Sequence, residues 1–258
     1  MEASETSIGT GFVAITGNGQ PIVSIVVPAF NEAKRIGDSI RKIDAFVRQS
    51  PSFFEVIVVD DGSVDGTAGV VSGIDMKGLR LIRNNENHGK GYTVRQGVLA
   101  ASGKYVLFTD ADLSAPIDEL TKLLEVAVAE DADVVIGSRK LAASLIETHQ
   151  SGVREIGAFV FNCMVRVILG LRLHDTQCGF KLFHRQRSRR IFEKQTRLGF
   201  GFDPELLFLA KRHGLRIRET PVRWSHSEGS KVKVLQDGLR MFFDLVRIRW
   251  NALTGRYS

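Results

Sequence analysis

Three acidic clusters in the first half of the chain have the residue types and spacing for chemistry on a charged ligand. Asp110-Ala111-Asp112 follows the apolar run Tyr105–Thr109. Hard divalent cations such as Mg2+ and Mn2+ take carboxylate oxygens and share the oxygens of phosphates, so this pair can hold such an ion against a diphosphate. The plainer role for an aspartate here is a helix N-cap. Ser114-Ala115-Pro116, however, offers a serine cap and a first-turn proline of its own. Asp60-Asp61-Gly62-Ser63 is either a turn built from turn-forming residues or a place where a carboxylate accepts from a base N–H or a ribose hydroxyl. Glu32, in Asn31-Glu32, is either a first-turn anion favoured by the helix dipole or an acceptor of the same kind. Asn87-His88-Gly89-Lys90-Gly91 sets a lysine between two glycines ahead of a helix. It is either a flexible loop or a place where amides and an ammonium approach phosphate.

Other chemistries are excluded by pattern. There is no G-x-x-x-x-G-K-[ST] phosphate loop and no G-x-G-x-x-G after a strand, which argues against a dinucleotide-dependent oxidoreductase. H-E-x-x-H and G-x-S-x-G are absent too, against metalloproteases and α/β-hydrolases. The two cysteines, Cys163 and Cys178, lack C-x-x-C spacing. They read as small buried apolar residues of a protein from a reducing compartment.

The elements that must position these clusters alternate. Ile22–Val27, Glu55–Val59, Leu79–Arg83, Tyr105–Thr109 and Asp133–Ile136 read as strands, with Pro28 ending the first. Between them Glu32–Arg48, Asp65–Ser72, Tyr92–Ala101 and Ile117–Ala129 have helical character, clearest in the apolar spacing 36, 40, 43 and 47. Alternation of this kind predicts an α/β domain with a mostly parallel sheet flanked by helices. Ligands of such sheets bind beyond the carboxyl ends of the strands, where all three acidic clusters fall. Past Arg139 the alternation breaks. A polar loop over 140–155, a helix over Ile156–Leu169, a compact segment Asp175–Lys181, a helix near Asp203–Arg212, a strand near Leu215–Val222 and a last helix follow. The organisation expected is a loose tail over 1–20 and one domain over 21–258, with halves 21–140 and 141–233 and an amphipathic helix over 234–250. At 258 residues, 43% hydrophobic and 25% charged, the chain is ordinary for a globular domain.

The formal net charge of +6 is unevenly spread: residues 172–258 carry a net +11 and residues 1–171 a net −5. A basic final third points to an anionic partner. No nucleic-acid recognition motif interleaves those charges, so nucleic acid is not the expected partner. No apolar run approaches the roughly 18 residues of a membrane helix, and the start of the chain lacks a secretory pattern. The expected location is therefore the cytoplasm, with peripheral contact on the cytoplasmic membrane face. In the last helix Leu235, Leu239, Phe242 and Val246 form a stripe bordered by Arg240, Arg247 and Arg249. Such a helix either lies in a membrane interface or packs its stripe on the domain.

Taken together, the motifs resemble a known family. Ser24-Ile25-Val26-Val27-Pro28-Ala29-Phe30-Asn31-Glu32, Val59-Asp60-Asp61-Gly62-Ser63 and Asp110-Ala111-Asp112 look like a family 2 glycosyltransferase of the GT-A fold. His88-Gly89-Lys90-Gly91, Asp175-Thr176-Gln177-Cys178-Gly179-Phe180-Lys181 and Glu228-Gly229-Ser230-Lys231 look like the dolichyl-phosphate β-glucosyltransferases. The resemblance implies a GT-A (Rossmann-like) sheet with a C-terminal acceptor-side extension, a UDP-glucose donor, a polyprenyl phosphate acceptor and Mg2+ or Mn2+. It implies inverting transfer of glucose to give a β-linked lipid phosphate sugar. The alternatives are a GDP-mannose-dependent mannosyltransferase and a family 2 enzyme with a non-lipid acceptor. Residues 21–140 would then be the nucleotide-sugar half and 141–233 the acceptor half. Pro28, Glu32, Asp60, Asp61, Lys90 and Asp110 would bind the nucleotide sugar, and Asp110 and Asp112 the metal. Arg139, Arg154, Lys181 and Lys231 would bind the acceptor phosphate. Asp112 and Asp175 would serve catalysis, Asp175 either as a base or by orienting Lys181 or Arg154 through an ion pair.

Overall fold

The computed structural model describes residues 22–50, 54–148, 152–225 and 234–257. Its centre is a seven-stranded sheet. The strands are β1 (Val23–Ala29), β2 (Phe54–Asp60), β3 (Leu79–Arg83), β4 (Tyr105–Thr109), β5 (Val134–Ser138), β7 (Phe180–His184) and β8 (Ile217–Pro221), in the order β3-β2-β1-β4-β7-β5-β8. All are parallel except β7, which runs antiparallel between β4 and β5. Every residue of β1, β2, β4 and β5 is buried, which explains their unbroken apolar runs: a parallel sheet is covered on both faces.

One face carries α1 (Ile36–Arg48), α2 (Thr67–Ser72) and α4 (Leu120–Ala129). Helix α1 buries Ile36, Ile40 and Ile43, the expected helical stripe. The other face carries α3 (Lys90–Ala100), α5 (Gly152–Leu169), α6 (Arg185–Lys194), α7 (Phe202–Arg212) and α8 (Val234–Leu253). A small parallel pair, β6 (Ile146–Thr148) and β9 (Trp224–Ser225), stands apart from the main sheet.

The strand order places a switch point between β1 and β4, because β2 and β3 build to one side and β4 begins the other. In such sheets the crevice opens at the carboxyl ends there. Pairing of β1 with β4 stops at Val26 and Phe108, and β1 continues through Pro28 to Ala29 against β2 alone. Pro28 therefore does not end the strand. It lacks an N–H and sits where a ladder to β4 is no longer made.

The acceptor-side half departs from expectation. Strand β6 interrupts the loop over 140–155, and the segment after Gly179 is strand β7, with α6 directly behind it. Ser114 makes no helix cap: the helix opens with a 3-10 turn at Ile117–Glu119 that has no side-chain cap bond. In α8 the packed residues are Met241, Leu245, Ile248 and Ala252, whereas Leu239, Phe242 and Val246 are exposed. The reading in which the latter stripe packs on the domain is thereby corrected. Among the described residues no helix is long and apolar enough to cross a membrane. The tail over 1–20, Glu228–Lys231 and the side chains of Arg154 and Leu235 lie outside the described residues.

Candidate active site

The crevice is walled by the carboxyl ends of β1, β2, β4 and β5 and by the residues leading into β7. Asp110 follows β4 and keeps an exposed carboxylate, about one third of its side-chain surface. The Lys90 ammonium meets its Oδ1 at 2.6 Å. On the other side the chain at Gly179 passes so closely that a Cβ there would collide with the Asp110 carboxylate. The Asp110 N–H donates to the Gly179 carbonyl at 3.2 Å. That contact explains a glycine in the 175–181 segment: it lets the antiparallel strand reach the acidic turn. Asp112 accepts from the Ser114 N–H at 3.0 Å, and its Oδ2 lies 3.9 Å from Arg35 Nη1. Arg35 also pairs with Glu32. Glu32 and Arg35 stand three residues apart in the turn ahead of α1, and that spacing is visible in the sequence.

The two aspartates of the Asp60-Asp61 turn do different work. Asp60 is fully buried; its Oδ1 accepts from the Ser63 N–H at 3.1 Å. Its buried Oδ2 has no hydrogen bond within the protein, and Arg83 Nε lies 3.5 Å away. A buried acceptor left in that condition is costly unless a ligand or water serves it. Asp61 is consumed by the protein. It accepts from the Asn84 amide at 2.9 Å, from the Gly89 N–H at 2.8 Å and from the His88 N–H. The nucleotide-binding contact expected for Asp61 is therefore corrected: its carboxylate braces the loop that delivers Lys90. The glycines of that loop likewise serve packing. A Cβ on Gly91 would meet Phe202 and the Arg197 carbonyl, and one on Gly89, at φ +98°, would meet the Leu198 carbonyl.

Across the crevice, Arg139 at the end of β5 and Asp175 before β7 form a two-pronged ion pair, Nε to Oδ2 at 2.6 Å and Nη2 to Oδ1 at 2.9 Å. The Arg139 N–H adds a third bond at 3.1 Å. Glu219 of β8 anchors the same stretch by accepting from the His174 and Asp175 N–H groups. Arg139 lies over the Trp224 ring, 5.4 Å from its centroid. Burial alone would raise the Asp175 pKa, but the charge and hydrogen bonds of Arg139 outweigh it and hold the carboxyl well below the usual range. Burial likewise opposes the charge on Arg139, and Asp175 more than offsets it. Asp175 thus orients Arg139, while Lys181 is bound elsewhere, to Asp203; it is held as an ion-paired carboxylate with little basicity to offer. Burial pushes the Cys178 thiol up to about 12, so it stays protonated.

Lys181 cannot face an acceptor. It is fully buried in β7, its ammonium bound to Asp203 and to the Cys178 carbonyl at 2.6 Å. Its phosphate-binding role is corrected for that reason. Asp203, at the start of α7, was invisible as a partner because nothing in the spacing links it to Lys181 or Lys90. Burial raises the Asp203 pKa and the two lysines pull it down, with burial prevailing. Burial also works against Lys90, yet Asp110 and Asp203 leave its pKa raised. Pro28 is buried inside β1. No group of three or more His, Cys, Asp or Glu side chains gathers for a metal among the described residues. Asp110 and Asp112 offer two hard oxygen donors on a partly exposed turn, a set that a divalent ion completes with phosphate oxygens and water.

Three comparisons place this arrangement. The family model described as Glycosyl transferase family 2 matches residues 24–192. The chain is similar to a Dolichyl-phosphate beta-glucosyltransferase of Dictyostelium discoideum, 34% identical over 95% of this chain and 80% of the relative. It is 35% identical to the protein of that name from Saccharomyces cerevisiae, over 91% and 76%, and 32% identical to the one from Homo sapiens, over 91% and 77%. Among solved structures it resembles mannosyl-3-phosphoglycerate synthase from Rubrobacter xylanophilus (TM-score 0.67, 23% identity, 92% of this chain and 76% of that one). It also resembles glucosyl-3-phosphoglycerate synthase from Mycobacterium tuberculosis in complex with Mn2+, UDP-glucose and phosphoglyceric acid (TM-score 0.65, 22% identity, 89% and 80%). At those identities the two structures establish a shared fold.

Proposed function

The chain belongs to glycosyltransferase family 2 and, within it, to the dolichyl-phosphate β-glucosyltransferases, and from that premise we propose that it transfers glucose from UDP-glucose to a polyprenyl phosphate with inversion at the anomeric carbon. One observation carries the reading: a single crevice sets the partly exposed acids Asp110 and Asp112 beside two cations, Lys90 and Arg139, whose charges both feel Asp110. A site for two anionic substrates needs that arrangement, because like charges must be brought together and held.

The Oδ2 of Asp60, which no protein group hydrogen-bonds, is suited to the N–H of a uracil ring, and Glu32 to the ribose. Lys90 meets the diphosphate. Asp110 and Asp112 would hold Mg2+ or Mn2+, which when bound neutralises charge on the leaving nucleoside diphosphate. The structurally similar glucosyl-3-phosphoglycerate synthase from Mycobacterium tuberculosis is in complex with both Mn2+ and UDP-glucose. The acceptor oxygen forms the new bond to the anomeric carbon on the face opposite the diphosphate, while the bond to the diphosphate oxygen breaks and UDP departs. A phosphate monoester with a second pKa near 6 is already mostly ionised at neutral pH. It needs positioning by cations more than a base, which fits an Asp175 locked to Arg139. Arg139 is the acceptor-side cation of this reading, with Arg154 and Lys231 as its expected companions.

A lipid acceptor requires contact with a bilayer. The exposed faces of α8 (Leu239, Phe242, Phe243, Val246, Trp250) and of α5 (Phe159, Val160, Val167) supply apolar surface. Arg240, Arg247 and Arg249 on α8 are exposed beside it. Peripheral attachment at the cytoplasmic face is part of the proposal, and the free thiols of Cys163 and Cys178 fit a reducing compartment. The test is a donor panel of UDP-glucose, UDP-galactose, UDP-GlcNAc and GDP-mannose with a polyprenyl phosphate, scored by product mass. A glucosyl phospholipid formed from UDP-glucose alone is expected. A mannosyl product, or none with the lipid and one with a soluble phosphate, would replace the reading.

A further inference from the structure

We propose that Asp203, paired with Lys181, is a positioning residue of the donor site that shares the Lys90 ammonium with Asp110 and so sets how much of the Asp110 charge is left for a cation. The inference rests on reading Asp110 and Lys90 as part of that site. Four charges alternate from the crevice inward: Asp110, Lys90, Asp203 and Lys181. Lys90 Nζ meets Asp110 Oδ1 at 2.6 Å, and Asp203 exerts the next pull on the same ammonium. The Lys181 ammonium bonds to Asp203. The Phe108 ring lies in the middle of the set, its centroid 5.3 Å from Lys90 Nζ and 5.8 Å from Lys181 Nζ. Phe200 is 5.9 Å from Lys90 Nζ, and Phe202 packs edge-on to Phe108 at 5.7 Å.

Those rings keep water from the inner pair, Asp203 and Lys181, so its charges are weakly screened from Lys90. A lysine stem has many rotamers and no fixed donor geometry; the aromatic cage and the Asp203 field give Lys90 one position. Lys181 and Asp203 are themselves buried and touch no substrate. A buried ion pair gives little net stability, so its use here is to order the charge that lies one step nearer the crevice.

The sign of the effect separates this role from a structural one. Asp203→Asn leaves the Lys181 charge uncompensated and adds positive potential at Asp110, so a divalent cation binds more weakly. Lys181→Met leaves Asp203 to compete with Asp110 for Lys90, so a divalent cation binds more tightly. The measurement is titration of Mn2+ alone into the full chain, read by the electron paramagnetic resonance of free Mn2+. We expect a Kd roughly ten-fold weaker in Asp203→Asn and several-fold tighter in Lys181→Met, with the double variant between them. Weakening in both single variants, or no change in either, overturns the inference while leaving the donor-site reading intact. A wild-type chain that binds no Mn2+ overturns both. If a single variant does not fold, the double variant decides through Lys90→Met. That change should tighten Mn2+ binding in the wild type and do so at least about three-fold less in the double variant. Equal tightening in both backgrounds overturns the inference.

Discussion

Asp60-Asp61 at the end of β2 and Asp110-Ala111-Asp112 at the end of β4 share residue type and position, yet they are built for opposite purposes. The first pair is buried, and Asp61 spends its oxygens on the backbone of residues 88 and 89 and on Asn84. The second pair stays partly exposed and is met by side-chain cations, Lys90 and Arg35, which can be exchanged for a ligand. An acid that braces a loop needs fixed amide donors, whereas an acid that binds needs a counter-charge that can yield. Asp60 stands between the two cases, with one oxygen bonded and the other kept without a hydrogen bond.

The largest effect that tests this contrast is on turnover. Asp110→Asn or Asp112→Asn should lower kcat/KM by about 1,000-fold, roughly 4 kcal/mol of transition-state stabilisation, and shift Tm by no more than about 2 °C. UDP release and a thermal melt measure the two, and metal-dependent turnover in both variants would erase the distinction. Next comes the Arg139–Asp175 pair. Asp175→Asn removes the charge partner of a half-buried guanidinium and should cost about 2 kcal/mol of stability. Because folding depresses the Asp175 pKa, the carboxylate stabilises the fold above the ordinary range near 4 and loses that contribution as pH falls below it. The gap between wild type and variant in urea unfolding should thus be constant from about pH 5 to 8 and narrow in stronger acid.

Asp61→Asn should be no larger, about 2 kcal/mol of stability from amide donors left without an acceptor, with donor KM rising and acceptor KM unchanged. Lost turnover at full stability would instead make Asp61 a binding residue. The mildest effect concerns α8. Cosedimentation with anionic vesicles should fall in high salt and in Arg247→Gln, by about 1 kcal/mol per arginine near the surface. Equal binding to neutral vesicles would remove the electrostatic part, and Phe243→Ser should weaken binding to either kind.

The nucleotide half was legible because its rules are local. Buried parallel strands write unbroken apolar runs, and Tyr105–Thr109 matches β4 at both ends; the partly exposed edge strand β3 alternates arginine with apolar residues and matches Leu79–Arg83 at both ends too. In the acceptor half α5, α7, β8 and α8 fall where expected, whereas β6, β7 and α6 were hidden. Strand β7 places a fully buried lysine among apolar residues, so a polar letter stood where the core lies. Helix α6, rich in arginine, buries only Ser188, Ile191 and Phe192, too thin a stripe to read. In α8 two apolar stripes share one helix, and which of them packs depends on α5, whose contact with it no spacing announces.

By itself the sequence determined the alternation of elements, the placement of acids at strand ends and the family motifs, because each depends on neighbours a few residues apart. Only the tertiary structure decided which acids are free to bind. Whether an aspartate braces, as Asp61 does, orients, as Asp175 does, or meets a side-chain cation, as Asp110 does, depends on partners that arrive from about 20 to 36 positions away. It depends equally on the water that those neighbours exclude, since burial and counter-charge, not residue type, set what a carboxylate can do.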